Sequence, residues 1–202
     1  SSGRTGGGFA NAYSVDFDQT NDNATGSVAG DTEVYGISAW VRPDAEITQT
    51  YGVATDVNCI LGWGGSRWGL ILGPASQTSI ISCRINGTNT TYQYKPASGT
   101  VTFPANTWMH IMTQWADSSS TDSGNAGYDI WVNGSKVGNA VQSAPGTPVR
   151  GELKTTGFKI GSRESDSYFF GGQIDEISVF SSAVSDANVA TIYNSGVPGD
   201  LT

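Results

Sequence analysis

Basic residues are scarce in this chain. Ten Lys and Arg stand against 18 Asp and Glu over 202 residues, which gives a formal net charge of −8, and no run of Lys or Arg occurs anywhere. A nucleic-acid partner requires a basic footprint that contacts phosphates, and an anionic lipid surface attracts the same charges. We therefore expect neither nucleic acid nor a charged membrane surface as the partner.

Long apolar segments are missing too. No stretch approaches the ~18 consecutive apolar residues of a transmembrane helix, so we expect no membrane insertion. Residues 1–8 are polar and rich in Gly, and they do not form the apolar part of a signal peptide. We expect residues 1–12 to be a flexible arm and residues 13–202 to form one domain.

Cysteine and histidine are almost absent. Cys59 and Cys83 are too few for a disulfide framework and form no CxxC pair, so they are either two buried thiols or, in an exported protein, one disulfide. His110 is the only histidine and offers no zinc site. Its alternation with Trp108 and Met112 predicts a structural, hydrogen-bonded residue on one face of a strand.

What the chain does contain is short strand-like segments separated by turn residues. Only 14% of the residues are charged, and Gly, Ser, Thr and Asn supply turns and strand surfaces. Asn86-Gly87 and Asn133-Gly134 each predict a hairpin. The pattern predicts an all-β fold of two antiparallel sheets, with strands at 13–17, 35–41, 58–62, 68–72, 78–85, 91–94, 108–115, 128–132, 158–161 and 173–180.

One short helix is predicted near the C-terminus. Ser185 can cap its start through the hydroxyl, and Val189, Ile192 and Tyr193 follow at helical spacing. Gly196 can take the left-handed conformation after its end.

Several segments together resemble laminin-G-like domains of the concanavalin A-like lectin/glucanase type. They occur in family order over most of 13–196, and they are Ile37-Ser-Ala-Trp-Val-Arg-Pro, Asn106-Thr-Trp-Met-His-Ile-Met-Thr-Gln-Trp, Tyr128-Asp-Ile-Trp-Val-Asn-Gly-Ser-Lys-Val, Phe158-Lys-Ile-Gly-Ser and Phe170-Gly-Gly-Gln-Ile-Asp-Glu-Ile-Ser-Val-Phe. The resemblance implies a concanavalin-like jelly roll, a fold that hosts lectins, adhesins, glucanases and structural modules. The opening Tyr13-Ser-Val-Asp-Phe-Asp is also similar to laminin-G-like modules of phage structural proteins.

The carboxylates do not match a glucanase. Glucanases of this fold use a tight Glu/Asp set such as E-x-D-x-x-E, whereas Glu occurs here only at 33, 46, 152, 164 and 176 and never in that pattern. Asp175 and Glu176 are adjacent, so strand alternation predicts that they point to opposite faces and cannot serve one substrate. We therefore expect no enzymatic activity.

Calcium is the metal that the sequence favours. In related jelly rolls, an Asp on the last long strand joins oxygens of the N-terminal segment around a structural ion, and Asp175 matches that position. Asp16 and Asp18 lie in the N-terminal segment, and Ca²⁺ prefers such oxygen ligands. We expect Asp175, Asp16 and Asp18 to contribute to a calcium site; the alternative is that they satisfy turns and backbone donors.

Aromatic residues near turns are the candidates for ligand binding. Trp40, Trp108, Trp115 and Trp131 lie within predicted strands and are expected in the core. Outside that group, aromatic rings beside polar groups suit a sugar ring, and the predicted ligand-binding residues are Trp63, Arg67, Trp68 and Tyr168. Packing at the sheet edge is the alternative for these rings.

The resulting expectation is a non-catalytic surface-binding or adhesion module. Its rim loops would recognise a glycan or a surface protein, and it would work in an extracellular setting, on a cell surface or on a virion. The alternative is a structural virion component, a capsid decoration or tail protein, that uses the same fold to contact other virion subunits.

Overall fold

The computed structural model describes residues 14–30, 32–48, 58–63, 68–72, 81–84, 91–94, 102–116, 127–142, 151–153, 157–163 and 166–196. The predicted arm at 1–12 and the Asn86-Gly87 turn lie outside these residues. The strands are β1 (Val15–Asp18), β2 (Ala24–Gly26), β3 (Thr32–Val34), β4 (Gly36–Pro43), β5 (Ile47–Thr48), β6 (Asn58–Trp63), β7 (Trp68–Leu72), β8 (Ile81–Arg84), β9 (Thr91–Tyr94), β10 (Thr102–Phe103), β11 (Met109–Ala116), β12 (Gly127–Val132), β13 (Ser135–Gln142), β14 (Gly151–Leu153), β15 (Phe158–Ile160) and β16 (Gly171–Phe180). One helix, α1 (Asp186–Tyr193), follows β16.

Two antiparallel sheets form the body of the domain. The first sheet has the order β1-β16-β4-β11-β12-β13, and the second has the order β13-β9-β8-β7-β6-β15-β2. Strand β13 belongs to both, because Ser135 to Asn139 pair with β12 whereas Ala140 to Gln142 pair with β9. Short β5–β10 and β3–β14 pairs complete the arrangement. The predicted all-β jelly-roll architecture with two antiparallel sheets is confirmed.

The core lies between the two sheets and is built by alternation along the strands. Buried apolar side chains come from β1, β4, β6, β7, β11, β12 and the entry to β16, among them Phe17, Ile37, Leu61, Leu70, Ile111 and Phe170. A second, smaller cluster of Met112, Trp131 and Val189 lies on the opposite face of the first sheet, beneath α1. Helix α1 therefore covers that face.

Both ends of α1 are capped, the first by a side chain and the last by the backbone. Ser185 is its N-cap, and the Ser185 hydroxyl accepts a hydrogen bond from the backbone N–H of Asn188 at 3.2 Å, as predicted. Asn194 (φ 45°, ψ 48°) ends the helix in the left-handed region, because Asn tolerates this conformation. A single 3-10 turn then continues to Gly196, which has the positive φ (88°) predicted for it.

The buried tryptophans and the histidine pack beneath α1 rather than between the sheets. Trp40 and Trp131 are buried and His110 is fully buried, whereas Trp108 is half-buried. The Nε2 atom of His110 lies 2.8 Å from the Ser38 hydroxyl, and its ring packs 5.9 Å from that of Tyr193. His110 is thus the hydrogen-bonded structural residue that its spacing predicted. The side chain of Trp115 lies outside the described residues.

The Asn133-Gly134 turn joins β12 to β13 as predicted. Both residues have positive φ, 48° and 73°, which is the geometry of a tight type I′ hairpin. Gly134 is required for a second reason, since a Cβ there would lie 2.6 Å from the Tyr193 ring. The hairpin therefore helps to position the end of α1.

The two cysteines lie on strands that are not neighbours. Cys59 on β6 is opposite Ile71 of β7, and Cys83 on β8 is opposite Leu70 of β7. Two strand spacings amount to about 10 Å, which exceeds the reach of a disulfide. Cys59 is a free, buried thiol, and burial raises its pKa.

A bulge interrupts β16 at Glu176. Asp175 is opposite Trp40 and Ser178 is opposite Ser38, so Glu176 and Ile177 together face the single residue Ala39. Glu176 has φ 49°, a conformation normally reserved for Gly in such a bulge. The register does not test the expectation that Asp175 and Glu176 point to opposite faces, which stays a prediction.

Candidate functional site

Five of the described connections meet at one end of the sandwich, which we call the loop end. The antiparallel registers bring together the end of β1, the end of β4 and the starts of β6, β11 and β16. The described parts of these loops are 19–23, 44–46, 104–108, 133–134 and, in the loop 161–170, residues 161–163 and 166–170. Backbone hydrogen bonds join them, for example from Asn106 N–H to the Pro43 oxygen at 2.7 Å.

Unusual backbone conformations collect at the loop end. Residues other than glycine with positive φ are found there in four of these loops, and they are Gln19 (63°), Asn106 (58°), Asn133 (48°), Asp166 (51°) and Tyr168 (59°). Asn and Asp adopt this region readily, whereas Gln and Tyr do so only when their surroundings hold them there. Such strain concentrates at functional sites, which directs attention to Tyr168.

Tyr168 presents an aromatic ring to solvent on a firmly held backbone. Its side chain is 39% exposed, although the Tyr168 carbonyl accepts a hydrogen bond from the buried Cys59 N–H at 2.8 Å. Two residues later, Phe170 N–H donates to the Gly161 carbonyl, also at 2.8 Å, and closes the loop. The backbone that carries the exposed ring is therefore held in place by hydrogen bonds.

Polar and charged groups surround this ring. The Arg163 guanidinium carbon lies 5.9 Å from the Tyr168 ring centroid. Asp166 accepts from Lys159 Nζ at 2.5 Å and from Asn23 Nδ2 at 3.2 Å, both at Oδ1. We call these five residues the Tyr168 patch. A ring face beside amide, carboxylate and cationic groups can bind a ligand that has both CH faces and hydroxyls.

The loop carrying the patch folds directly over β6. A Cβ added to Gly62 would lie 2.8 Å from the Ser162 carbonyl oxygen and 3.0 Å from Arg163 Cα, both of them backbone atoms. Glycine at position 62 is therefore what allows the 161–170 loop to lie against the sheet.

The structure separates the predicted ligand-binding residues. Tyr168 lies beside Cys59 at the start of β6, whereas Trp63 is the last residue of β6 and Trp68 is the first of β7. Four residues of strand, roughly 13 Å, separate Cys59 from Trp63. Arg67 and the side chains of Trp63 and Trp68 lie outside the described residues. These predicted residues therefore belong to two opposite ends of the sandwich.

The predicted calcium ligands lie on adjacent strands. Asp16 is opposite Gln173, so Asp175 is its diagonal neighbour on β16, with an expected Cβ separation of about 7–8 Å. Asp18 lies further along, opposite Gly171. Among the described residues, no group of three His, Cys, Asp or Glu side chains gathers as a metal site. A calcium ion would have to draw on amide and backbone oxygens as well.

Asp18 already has hydrogen-bond donors of its own. Its Oδ1 accepts from the backbone N–H groups of Thr20 at 2.8 Å and Asn21 at 3.2 Å. These bonds hold the pKa of the Asp18 carboxyl below its usual value, so that Asp18 is ionised at neutral pH.

The Ser38–His110 contact does not provide a nucleophile. A Ser–His hydrogen bond is the first requirement of an activated serine. Ser38 is 2% exposed and His110 0%, with the rings of Trp40 and Tyr193 stacked 5.7 Å apart beside them. No substrate can reach this pair while α1 is in place.

Four patch residues escaped sequence reasoning. Asn23 is distant in sequence from Lys159, Arg163 and Asp166, and the pairing of β15 with β2 brings it to them. The one available signal was the position of Asp166 two residues before Tyr168, in a Ser- and Asp-containing turn.

Among the described residues, no helix is long and apolar enough to cross a membrane.

Comparison with solved structures identifies relatives in fold. The CBM40 domain of the Ruminococcus gnavus IT-sialidase, bound to α2,3-sialyllactose, is 15% identical and has a TM-score of 0.53, over 89% of this chain and 96% of that chain. Domain 4 of an extracellular arabinanase from Geobacillus stearothermophilus, in complex with arabinotriose, is 16% identical with a TM-score of 0.51, over 90% and 88%. No curated protein matches the chain in sequence.

A third structure is longer than this chain. It is a Bacteroides ovatus protein proposed to bind carbohydrate, 15% identical with a TM-score of 0.53 over 87% of this chain. The match covers 47% of that protein, so the chain spans about half of its length. At sequence identities this low, the structural similarity shows a shared fold alone.

Sequence comparison supports the same assignment more directly. A laminin-G-type family model matches residues 17–190, which include every strand from β2 to β16 and most of α1. The match does not bear on the phage origin that the opening segment suggested. Since it covers most of the domain, the chain belongs to the concanavalin A-like lectin/glucanases superfamily.

Proposed function

We propose that this domain is a non-catalytic carbohydrate-binding module that recognises a glycan through the Tyr168 patch. The observation that carries the proposal is the exposed Tyr168 ring, held in the left-handed region within reach of Arg163. Two of the structures with this fold are described as complexes with arabinotriose and with sialyllactose, which supports a glycan as the ligand class.

The proposal that the domain is non-catalytic rests on the positions of its carboxylates. Glycoside hydrolysis needs two carboxyl groups on either side of the scissile bond, about 5 Å apart for retention and further apart for inversion. In the Tyr168 patch only Asp166 is a carboxylate, and it is engaged by Lys159 and Asn23. The patch is therefore suited to binding a sugar.

An extracellular location, on a cell surface or a particle, is part of the proposal because that is where a glycan-binding module meets its ligand. The alternative of a virion component, in which the fold contacts neighbouring subunits, has no support from the family match or from the structures compared. Detection of the chain by mass spectrometry in purified virions would favour it.

A structural calcium ion is a further proposal. Asp16 and Asp175 are diagonal neighbours on adjacent strands, and a divalent cation between them would offset the repulsion of the two carboxylates. Asp18 is the weaker candidate, since its carboxylate already serves Thr20 and Asn21.

The function is tested with a glycan array followed by calorimetry on the ligands found. We expect Tyr168→Ala to weaken binding at least tenfold, because it removes the stacking surface, and Tyr168→Phe to retain most of it. Val15→Ala is the matched control, since Val15 is 52% exposed on β1, away from the loop end. Binding that survives Tyr168→Ala but is lost in Trp63→Ala would move the site to the opposite end; no binding to any glycan would refute the proposal.

A further inference from the structure

We infer that the Tyr168 patch selects neutral glycans over those carrying carboxylates or sulfates. The inference rests on the proposed function and adds the charge class of the ligand. It is carried by the arrangement of charges around Tyr168.

Asp166 is the most exposed charged group of the patch. Its side chain is 61% exposed, whereas that of Lys159, its ion-pair partner, is only 20% exposed. The ammonium group is thus directed at Asp166 and largely covered, while the carboxylate faces outward. An outward carboxylate accepts hydrogen bonds from sugar hydroxyls and repels a ligand carboxylate.

Asn23 reinforces this arrangement. Its amide N–H donates to the same Asp166 oxygen at 3.2 Å, so Asp166 is held both by Lys159 on β15 and by the 19–23 loop. A neutral sugar needs no movement of this carboxylate, because its hydroxyls can donate to the remaining lone pairs of Asp166.

The surroundings of the patch are acidic. At the loop end the described carboxylates outnumber the cations: Asp18, Asp22, Asp44, Glu46 and Asp166 lie there with Arg42, Lys159 and Arg163. Asp18 is ionised at neutral pH, since backbone donors lower its pKa. With a formal net charge of −8 on the whole chain, an anionic glycan meets a repulsive field as it approaches.

Of the two cations in the Tyr168 patch, Lys159 is paired with Asp166, and Arg163 contacts the Tyr168 ring. Its guanidinium lies over the Tyr168 ring, and its backbone N–H donates to the Ser167 carbonyl at 2.9 Å. A guanidinium held over an aromatic ring by cation–π attraction is less available to a ligand anion.

The experiment compares matched glycans that differ only in charge. 3′-Sialyllactose is paired with its methyl ester, and de-esterified with methyl-esterified oligogalacturonides. A neutral set of gluco-, xylo-, manno- and arabino-oligosaccharides is measured beside them by calorimetry at low and at moderate salt. We expect every ligand that binds to be neutral, its charged counterpart to bind at least about tenfold more weakly, and the affinity to change little with salt.

Asp166 variants test the origin of the selectivity. Asp166→Asn keeps an oxygen acceptor and tolerates the left-handed backbone, so the ratio of neutral to charged affinity should fall severalfold even where neutral ligands bind more weakly. Asp166→Gly keeps the backbone conformation and removes the side chain, so neutral ligands should also weaken.

The possible failures are distinguishable. Tighter binding of the charged member of a pair, lost as salt is raised and lost in Tyr168→Ala, would overturn the inference while leaving glycan binding at the patch intact. Failure of all the neutral and charged glycans to bind would overturn the proposed function itself.

Discussion

The backbone N–H of Cys59 donates to the carbonyl oxygen of Tyr168 at 2.8 Å, joining a fully buried residue to one of the most exposed aromatic rings of the described surface. This bond fixes the loop that carries the Tyr168 ring to the start of β6 in the second sheet. Substitutions in the strand beneath this loop are therefore expected to alter the position of the exposed ring.

Gly62→Ala tests that connection. The added Cβ would meet the backbone of Ser162 and Arg163 at 2.8 and 3.0 Å, and backbone cannot swing aside as a side chain does. We expect a loss of about 1–3 kcal/mol in the free energy of unfolding, typical of overpacking, together with weaker glycan binding. Denaturant titration measures the first and calorimetry the second.

Gly30→Ala is the matched control for that variant, because a Cβ at Gly30 has no atom within 4 Å. It should leave both stability and binding nearly unchanged. If the two alanine variants behaved alike, the loop would not be supported by Gly62.

Trp40→Ala and Trp131→Ala should each lower the free energy of unfolding by about 3–5 kcal/mol. Both side chains are 2% exposed beneath α1, and Trp131 packs with Met112 and Val189. Trp63→Ala should cost much less if its ring lies at the rim. Chemical denaturation of the three variants would decide the matter, and equal losses would place Trp63 in the core.

Glu176→Gly should raise the free energy of unfolding by about 0.5–1 kcal/mol, since glycine adopts φ near 49° without the Cβ clash that glutamate suffers. Glu176→Val should lower it, because a β-branched residue is the least suited to this region. Thermal and denaturant melts give the order Gly, Glu, Val. A less stable glycine variant would mean that the side chain of Glu176 contributes more than its backbone strain costs.

Removal of calcium should lower the melting temperature, and excess Ca²⁺ should restore it. A bound ion stabilises the fold by roughly 2.7 kcal/mol when its free concentration is a hundred times its dissociation constant. Asp175→Asn should abolish the response to EDTA, whereas Asp44→Asn, an exposed carboxylate in the 44–46 loop, should keep it. An unchanged melt in EDTA, with no metal found by elemental analysis, would exclude the ion.

Purified protein should release no reducing sugar from β-glucans. The residue to examine is Glu176, because it lies in the bulge of β16, next to Asp175, where the backbone departs from regular strand geometry. Activity that disappears in Glu176→Gln, without any change in the thermal melt, would show that the domain is an enzyme.

Local signals in the sequence predicted the parts of the fold that local chemistry determines. Asn133-Gly134 formed its hairpin because both residues tolerate positive φ, and Ser185 capped the helix through its own hydroxyl. Strands of two or three residues, such as β5 and β10, were not predicted, because their pairing depends on distant partners that no short window contains. The Glu176 bulge was missed for the same reason, since glutamate has no local preference for it.

The candidate site was predicted only at Tyr168. Its exposure could be guessed from an aromatic run before the last strand, whereas Asn23 and Lys159 reach Asp166 through tertiary structure alone. The opposite rim, with Trp63 and Trp68, was assigned to the same ligand because sequence carries no information about which end of a strand a loop occupies.

The passage of β13 from one sheet to the other has a consequence for how the domain comes apart. Ser135 to Asn139 are hydrogen-bonded to β12 and Ala140 to Gln142 to β9 within one continuous strand. Because β13 is hydrogen-bonded in both sheets, separation of one sheet also disrupts the strand that pairs with the other sheet. The two sheets should therefore unfold together. In hydrogen–deuterium exchange, the amides along β13 should report one shared opening event, and in a force experiment the sandwich should yield in a single step.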